Sequence, residues 1–268
     1  MIIRYKKTAG DAAAANAFEA YDDVENYLGE AVVEKKFWPL VFEKKPTVFT
    51  ICESGDEMSA DALLGAATAH ALHLAREEEG GVCLRVEVKP EQQKKLSPAL
   101  ETLGFSGKSA LLRMARSVSV GSARAEIPEG LTFVRDYLND EEERRFYLER
   151  VNALFGGGWD AQRLSEARDK PNFTRLLLID EMGAVGEAIT WEENGIGVVD
   201  NIWVHPDRRR MGAGRCLMQA ACDWWREKGL AGGYADIWSR LTPAMRMAAA
   251  AGFEPCEAVV EYPYMDVK

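Results

Sequence analysis

The residues with the clearest chemistry lie between Asp200 and Arg215. An apolar strand, Val198 to Val204, passes through His205-Pro206-Asp207. It then meets Arg209-Arg210-Met211-Gly212-Ala213-Gly214 and opens into a helix. A glycine turn at a helix start leaves several backbone N–H groups unpaired and pointing one way. The helix dipole adds about half a positive charge at that end. Gly212 and Gly214 let phosphate oxygens approach the backbone, and Arg208, Arg209, Arg210 and Arg215 add charge around the turn. The arrangement suits a pyrophosphate. It is not the dinucleotide fingerprint, because only two glycines of Gly-x-Gly-x-x-Gly are present. Nor is it the ATP loop, because Gly214-Arg215-Cys216 lacks the Lys and the hydroxyl residue.

The run Ile202-Trp203-Val204-His205-Pro206, followed by Arg209 to Gly214, resembles the acetyl-CoA motif of the GNAT superfamily of N-acetyltransferases. Pro243 to Phe253 resembles that family's later helix, which ends in Gly-Phe, and the likeness extends over residues 128–268. The resemblance implies acetyl-CoA as cosubstrate. It implies Ile202, Trp203 and Val204 along the pantetheine, and Arg209, Arg210, Met211, Gly212, Ala213, Gly214 and Arg215 at the phosphates. Two positions depart from the family. Leu241 stands where an Asn is frequent, and Ala248 stands where a Tyr often serves as general acid. A thiol with a pKa of about 8.5 can leave without that acid. Tyr262 and Tyr264 are the substitutes the sequence offers.

Transfer to an amine requires the amine to be neutral, and a carboxylate or imidazole usually takes the proton. Asp200, an acid inside an apolar strand, is the first candidate base, and it is equally readable as a hydrogen-bonded structural residue. Glu187 on the preceding strand is the second. Glu192 and Glu193 read as solvated, and His205 as facing solvent or the cofactor edge. The stretch Phe155-Gly156-Gly157-Gly158-Trp159-Asp160 reads as a mobile lid with an aromatic wall, or as a plain helix-ending turn. Phe155, Trp159 and Trp191 are the residues expected to line an acceptor cleft, although core packing explains Trp191 and Trp203 equally well.

These residues need elements to hold them. In the second half the pattern gives strands near 131–135, 172–179, 184–191, 195–204 and 234–238, with an Asn194-Gly195 hairpin turn. It gives helices from Asn139 as cap, over 210–228, and from Thr242 as cap, then an extended stretch over 258–265. The first half gives strands at 1–6, 46–53, 82–88 and 109–115, and helices over 11–32, 60–79 and from 91 to Gly104. Leu96-Ser97-Pro98-Ala99-Leu100 before Gly104-Phe105 echoes Leu241-Thr242-Pro243-Ala244-Met245 before Gly252-Phe253, which suggests an old duplication. The turn Ser54 to Ala60 carries Asp56 and Glu57 where arginines would be needed, so the first copy reads as degenerate. The expected organisation is α/β (α+β): two tandem GNAT-like domains, each a mixed central sheet flanked by helices. They would span 1–120 and 131–268, joined by a linker over 121–130. That architecture is similar to the mycothiol synthase-like proteins.

The 268 residues suffice for two cores, and 47% apolar with 28% charged is ordinary for a folded chain. The net charge of -10 argues against nucleic-acid and anionic-membrane partners. No run approaches the ~18 apolar residues of a span, and the N-terminus lacks the apolar region of a signal peptide. A cytoplasmic monomer or homodimer is expected. Five cysteines without a Cys-x-x-Cys pair, and three histidines of which only His70 and His73 are close, offer no metal site. The resulting expectation is an acetyl-CoA-dependent N-acetyltransferase acting on a small-molecule amine. The alternatives are a non-catalytic acyl-CoA-binding or sensing protein and an aminoacyl transferase using charged tRNA. The pyrophosphate turn and the net charge count against the last.

Overall fold

The computed structural model describes residues 1–7, 16–36, 47–119, 124–155 and 157–267. Its chain divides into two compact units. One comprises residues 1–111, 238–240 and 258–268, the other 112–237 and 241–257. The expected α/β class, with mixed sheets and flanking helices, is what forms.

The first unit contains β1 (Ile2–Lys7), β2 (Asn16–Tyr21), β3 (Tyr27–Lys36), β4 (Thr47–Glu53), α1 (Ala60–Ala75), β5 (Val82–Glu87) and α2 (Gln93–Leu103). Its sheet runs β1-β2-β3-β4-β5-β13, where β13 is Tyr264–Val267 from the C-terminus. The helix expected over 11–32 is instead an antiparallel hairpin, with residues 11–15 outside the described part. The physical reason is the turn. The Asp22 carboxylate accepts from the Val24 and Asn26 N–H groups at 2.9 and 2.8 Å, and Glu25 takes a positive φ of 65°. Phe18, Ala20, Ala31 and Val33 then alternate onto α1 and form the core with Leu63, Leu64, Ala67 and Leu84. His70 of α1 lies against the rings of Tyr5 and Phe18.

The second unit carries β6 (Ala110–Ser117, whose first two residues count with the first unit), β7 (Thr132–Asp136), α3 (Glu141–Phe155), α4 (Ala161–Arg168), β8 (Thr174–Asp180), β9 (Gly183–Glu193), β10 (Ile196–Val204), α5 (Ala213–Glu227), β11 (Gly232–Trp238), α6 (Thr242–Ala250) and β12 (Glu254–Glu261). Its sheet runs β12-β6-β11-β10-β9-β8-β7. The expected split into 1–120 and 131–268 therefore differs from the observed units. The strand that closes the first half joins the second sheet, and the last strand joins the first sheet, where β13 pairs antiparallel with β5. Of the expected linker 121–130, residues 121–123 lie outside the described part.

Local details differ for identifiable reasons. Asp140, not Asn139, caps α3, accepting from Glu142 and Glu143 N–H at 2.8 and 3.1 Å. Helix α4 was not expected; it starts because Asp160 accepts from Arg163 N–H at 2.7 Å. Helix α5 begins at Ala213 rather than 210, since Arg210 and Gly212 hold φ of 70° and 85°. Leu241, not Thr242, precedes α6, with no side-chain cap. The Asn194-Gly195 turn forms as expected, both residues at positive φ.

Helix α5 is seated by Trp225. Its indole N–H donates to Thr190 Oγ1 at 2.8 Å, and its ring lies on Gly197 and Gly233, paired neighbours on β10 and β11. A Cβ on Gly197 would stand 2.2 Å from the ring, and one on Gly233 only 2.3 Å from the Gly197 carbonyl oxygen. Burial pushes the Cys83, Cys216 and Cys222 thiols up to about 11, so they stay protonated at neutral pH. Gly197→Val is expected to lower stability by about 1–3 kcal/mol through overpacking, read as a lower urea midpoint with an unchanged slope.

Candidate functional site

The site forms where β10 and β11 part. They pair in parallel from Gly197/Gly233 to Val199/Ala235, and pairing stops there. Both strands continue, β10 to Val204 and β11 to Trp238. The cause is a bulge. Against β9, Asp200 faces Ile189 and Trp203 faces Glu187, so β10 takes three steps where β9 takes two. Asn201 absorbs the extra residue at φ 50°, a region Asn tolerates better than most side chains. Because of the bulge, Asp200 and Trp203 share the face that α3 covers, while Ile202 and Val204 pack on the α5 side.

At the far end of β10 a short 3-10 turn, Pro206–Arg208, leads to the α5 N-terminus. Gly212 is its cap residue and supplies no side chain to the first-turn N–H groups. Arg209, Arg210 and Arg215 are exposed around it, as is Met211. Arg209 Nε donates to the Val204 carbonyl at 3.3 Å. Arg208 is turned to Asp180 at 2.6 Å, and Ala213 is buried beneath the helix. The uncapped turn with three exposed guanidiniums fits a phosphate-bearing ligand. Gly214 has a second role: a Cβ there would stand 2.4 Å from Met247 Sδ of α6.

The corresponding end of the first unit is closed. There β4 and β5 stay paired from Thr47/Val82 to Cys52/Glu87, with no parting. The Asp56 carboxylate accepts from the N–H groups of Met58 and Ser59 and from the Ser59 hydroxyl, just ahead of α1. Glu53 folds onto Gly55 N–H at 2.5 Å and is paired with Lys95 at 2.8 Å.

The two candidate carboxylates differ in environment. Glu187 has a fully buried side chain, and donors hold both its oxygens: Arg150 Nε and Nη2 at 2.8 Å each, and the Trp203 indole N–H at 2.9 Å. Arg175 stands 3.9 Å away and is itself paired with Asp136. Asp200 is half-buried, and its hydrogen bond among the described residues is to its neighbour's Asn201 N–H at 2.7 Å. Burial raises its carboxyl above the ordinary value, with Asp236 adding to the rise, against the Asn201 N–H and the Arg163 charge.

Trp159 is buried rather than lid-like. Asn152 clamps its backbone through both N–H and C=O, at 3.0 and 2.7 Å, and its ring meets Tyr147 edge-on. Phe155 and Trp191 pack at the margin of the same cluster, while Gly156 lies outside the described residues. Tyr262 and Tyr264 fall in the first unit, where the Tyr262 hydroxyl meets Glu87. Ala248 is buried in α6 and brings no hydroxyl. Among the described residues no cluster could hold a metal, and no helix is long and apolar enough to cross a membrane. Sequence reasoning missed Asn201, Tyr147 and Arg150. The Asp-Asn pair inside an apolar run was the available signal for the bulge. Nothing local marked the two α3 residues.

Residues 131–253 match the acetyltransferase (GNAT) family. That match covers most of the second half of this chain. The solved structure of a GCN5-related N-acetyltransferase from Sphaerobacter thermophilus is similar over 94% of this chain and 80% of its own, at 18% identity and a TM-score of 0.58. A tandem GNAT protein from the clavulanic acid biosynthesis pathway is similar over 97% and 84%, at 15% identity and a TM-score of 0.53. A GNAT-family acetyltransferase from Colwellia psychrerythraea follows at 94% and 86%, with 11% identity and a TM-score of 0.50. At these identities the likeness is one of fold: two tandem GNAT-like domains, in the first of which β4 and β5 do not part. No curated protein matches the sequence.

Gly212→Asp is expected to abolish coenzyme A binding, measured by titration calorimetry, while the protein stays folded. A Cβ there finds open space, with Pro128 the nearest atom at 4.0 Å, although the positive φ costs about 1–2 kcal/mol. Unchanged affinity in the folded variant would make the turn merely structural.

Proposed function

We propose that the chain is an acetyl-CoA-dependent N-acetyltransferase whose acceptor is a small-molecule amine. The observation that carries this reading is the parting of β10 from β11 beside an uncapped, arginine-ringed helix start, with Asp200 at the bulge. In this reading Arg209, Arg210, Met211, Gly212, Ala213, Gly214 and Arg215 hold the phosphates, and the edge from Ile202 through Trp203 to Val204, which does not pair with β11, lies along the pantetheine. Acetyl-CoA, when bound, supplies a thioester carbonyl and a leaving thiol whose pKa of about 8.5 requires no proton from the protein. That suits a site with Ala248 at the usual tyrosine position.

Asp200 is the general base. Its second oxygen has no protein hydrogen-bond partner among the described residues, and its raised pKa makes it a stronger base than a solvated aspartate. It takes a proton from the acceptor ammonium, directly or through water. The closed end of the first unit fits a single cofactor per chain. The net charge of -10 speaks against nucleic acid as a partner.

The test is thiol release from acetyl-CoA across a panel of amines. Release that depends on the amine is expected; coenzyme A binding with no turnover on any amine would select the non-catalytic binding protein instead. Calorimetry is expected to give one site per chain, and two equal sites would overturn the closed first unit. Asp200→Asn is expected to cut turnover roughly 10²–10⁴-fold with cofactor affinity unchanged, the loss shrinking at high pH where the amine is already neutral. The same variant should be more stable at pH 7. A carboxyl whose folded pKa is raised stabilises the fold only when protonated, so its charge costs stability as pH rises through that value. The advantage of Asn should disappear below about pH 3.9, the reference value, where both side chains are neutral. Thermal melts at pH 7 and pH 3.5 check the sign.

A further inference from the structure

We infer that Glu187 is a positioning residue: it and Arg150 lock the Trp203 indole, and this lock, with the Tyr147–Asn201 hydrogen bond, ties the β10 bulge to α3. The inference rests on the reading of the β10–β11 cleft as the cofactor site.

Two ties reach the bulge from one helix. Tyr147 and Arg150, one turn apart on α3, face the sheet. Asn201 Nδ2 donates to the Tyr147 hydroxyl at 2.8 Å, in a buried pair that holds the positive-φ residue itself. Burial keeps that phenol well above its ordinary pKa, so it remains neutral. Arg150 grips both oxygens of Glu187, and Glu187 in turn accepts the Trp203 indole N–H. The Arg150 guanidinium also lies over the Trp203 ring, 5.5 Å from its centroid. The tied residues therefore sit at Asn201 and Trp203, on both sides of Ile202.

A bulge is a local surplus of chain that competes with regular pairing. If β10 slipped back by one residue, Trp203 would move to the α5 face and β10 could resume pairing toward Val204, narrowing the cleft. The slip requires the indole N–H to leave Glu187, which would leave a fully buried carboxylate short of one donor while Arg150 stays bound to it. An unsatisfied charged group of this kind is costly. The lock thus stabilises the open arrangement. It also explains why a fully buried Glu with no free oxygen sits so near the site without serving as its base.

Trp203→Phe keeps an aromatic six-membered ring and removes the pyrrole part with its N–H, so it should fold. We expect it to weaken coenzyme A binding about tenfold, the usual weight of one hydrogen bond to a charged group. It should raise the KM for acetyl-CoA, with kcat and its pH profile little changed. Amide hydrogen exchange over residues 200–204 should quicken in the same variant without any ligand. Glu187→Gln should do the same, and the double variant should lose less than the sum of the two. Glu187→Asp, which retains the charge but shortens the reach, should recover only part. Three results overturn the proposal: unchanged exchange at 200–204 in Trp203→Phe; additive losses in the double variant, which would make the indole a direct ligand contact; or a Glu187→Gln kcat collapse with a flattened pH profile, which would make Glu187 the base. If the wild type binds no coenzyme A, the function fails, and the exchange measurement still decides the lock.

Discussion

One surplus residue in β10 organises the second unit. The bulge at Asn201 ends pairing with β11 after Val199, brings Asp200 and Trp203 onto one face, and leaves Ile202 and Val204 on the other. A regular strand here would hydrogen-bond along its full length and leave no room for a ligand between neighbours. At the bulge the Asp200 carboxylate meets the Asn201 backbone N–H, and two side-chain bonds, Asn201 to Tyr147 and Trp203 to Glu187, hold the segment in place.

The first unit is the control that this chain carries within itself. It has the same strand, turn and helix order around β4, α1 and β5, but no bulge separates β4 from β5. Ahead of its helix the chain's own Asp56 bonds the Met58 and Ser59 N–H groups, so a carboxylate stands near that end of the dipole. Gly29 lies so close to Gly55 that a Cβ on it would be 2.1 Å from the Gly55 Cα. The sheet and its helix thus form without any parting of the strands.

Charge is arranged to match. In the second unit, acids that might be free bases are mostly committed to arginines: Glu187 to Arg150, Asp136 to Arg175, and Asp236 to Arg113. Asp200 has no ion pair among the described residues, and its burial raises its pKa against the opposing Arg163 charge.

Much of this was legible in the chain itself. The glycine-arginine turn after an apolar strand is a local pattern, since unpaired N–H groups and nearby charge depend only on neighbours in sequence. Asn194-Gly195 is legible for the same reason, and so is the acidic first-half turn. The hairpin over 16–36 was not, because the alanine-rich approach mimics a helix and the deciding Asp22 turn depends on a few side-chain bonds. The strand exchange was invisible as well: whether β6 and β13 extend one sheet or the other depends on which edge is open, which no local pattern encodes. The roles of Asp200 and Glu187 separated only in three dimensions. Both are single acids in apolar strands, and the difference lies in what reaches Glu187: Arg150 from α3 and the Trp203 indole from β10.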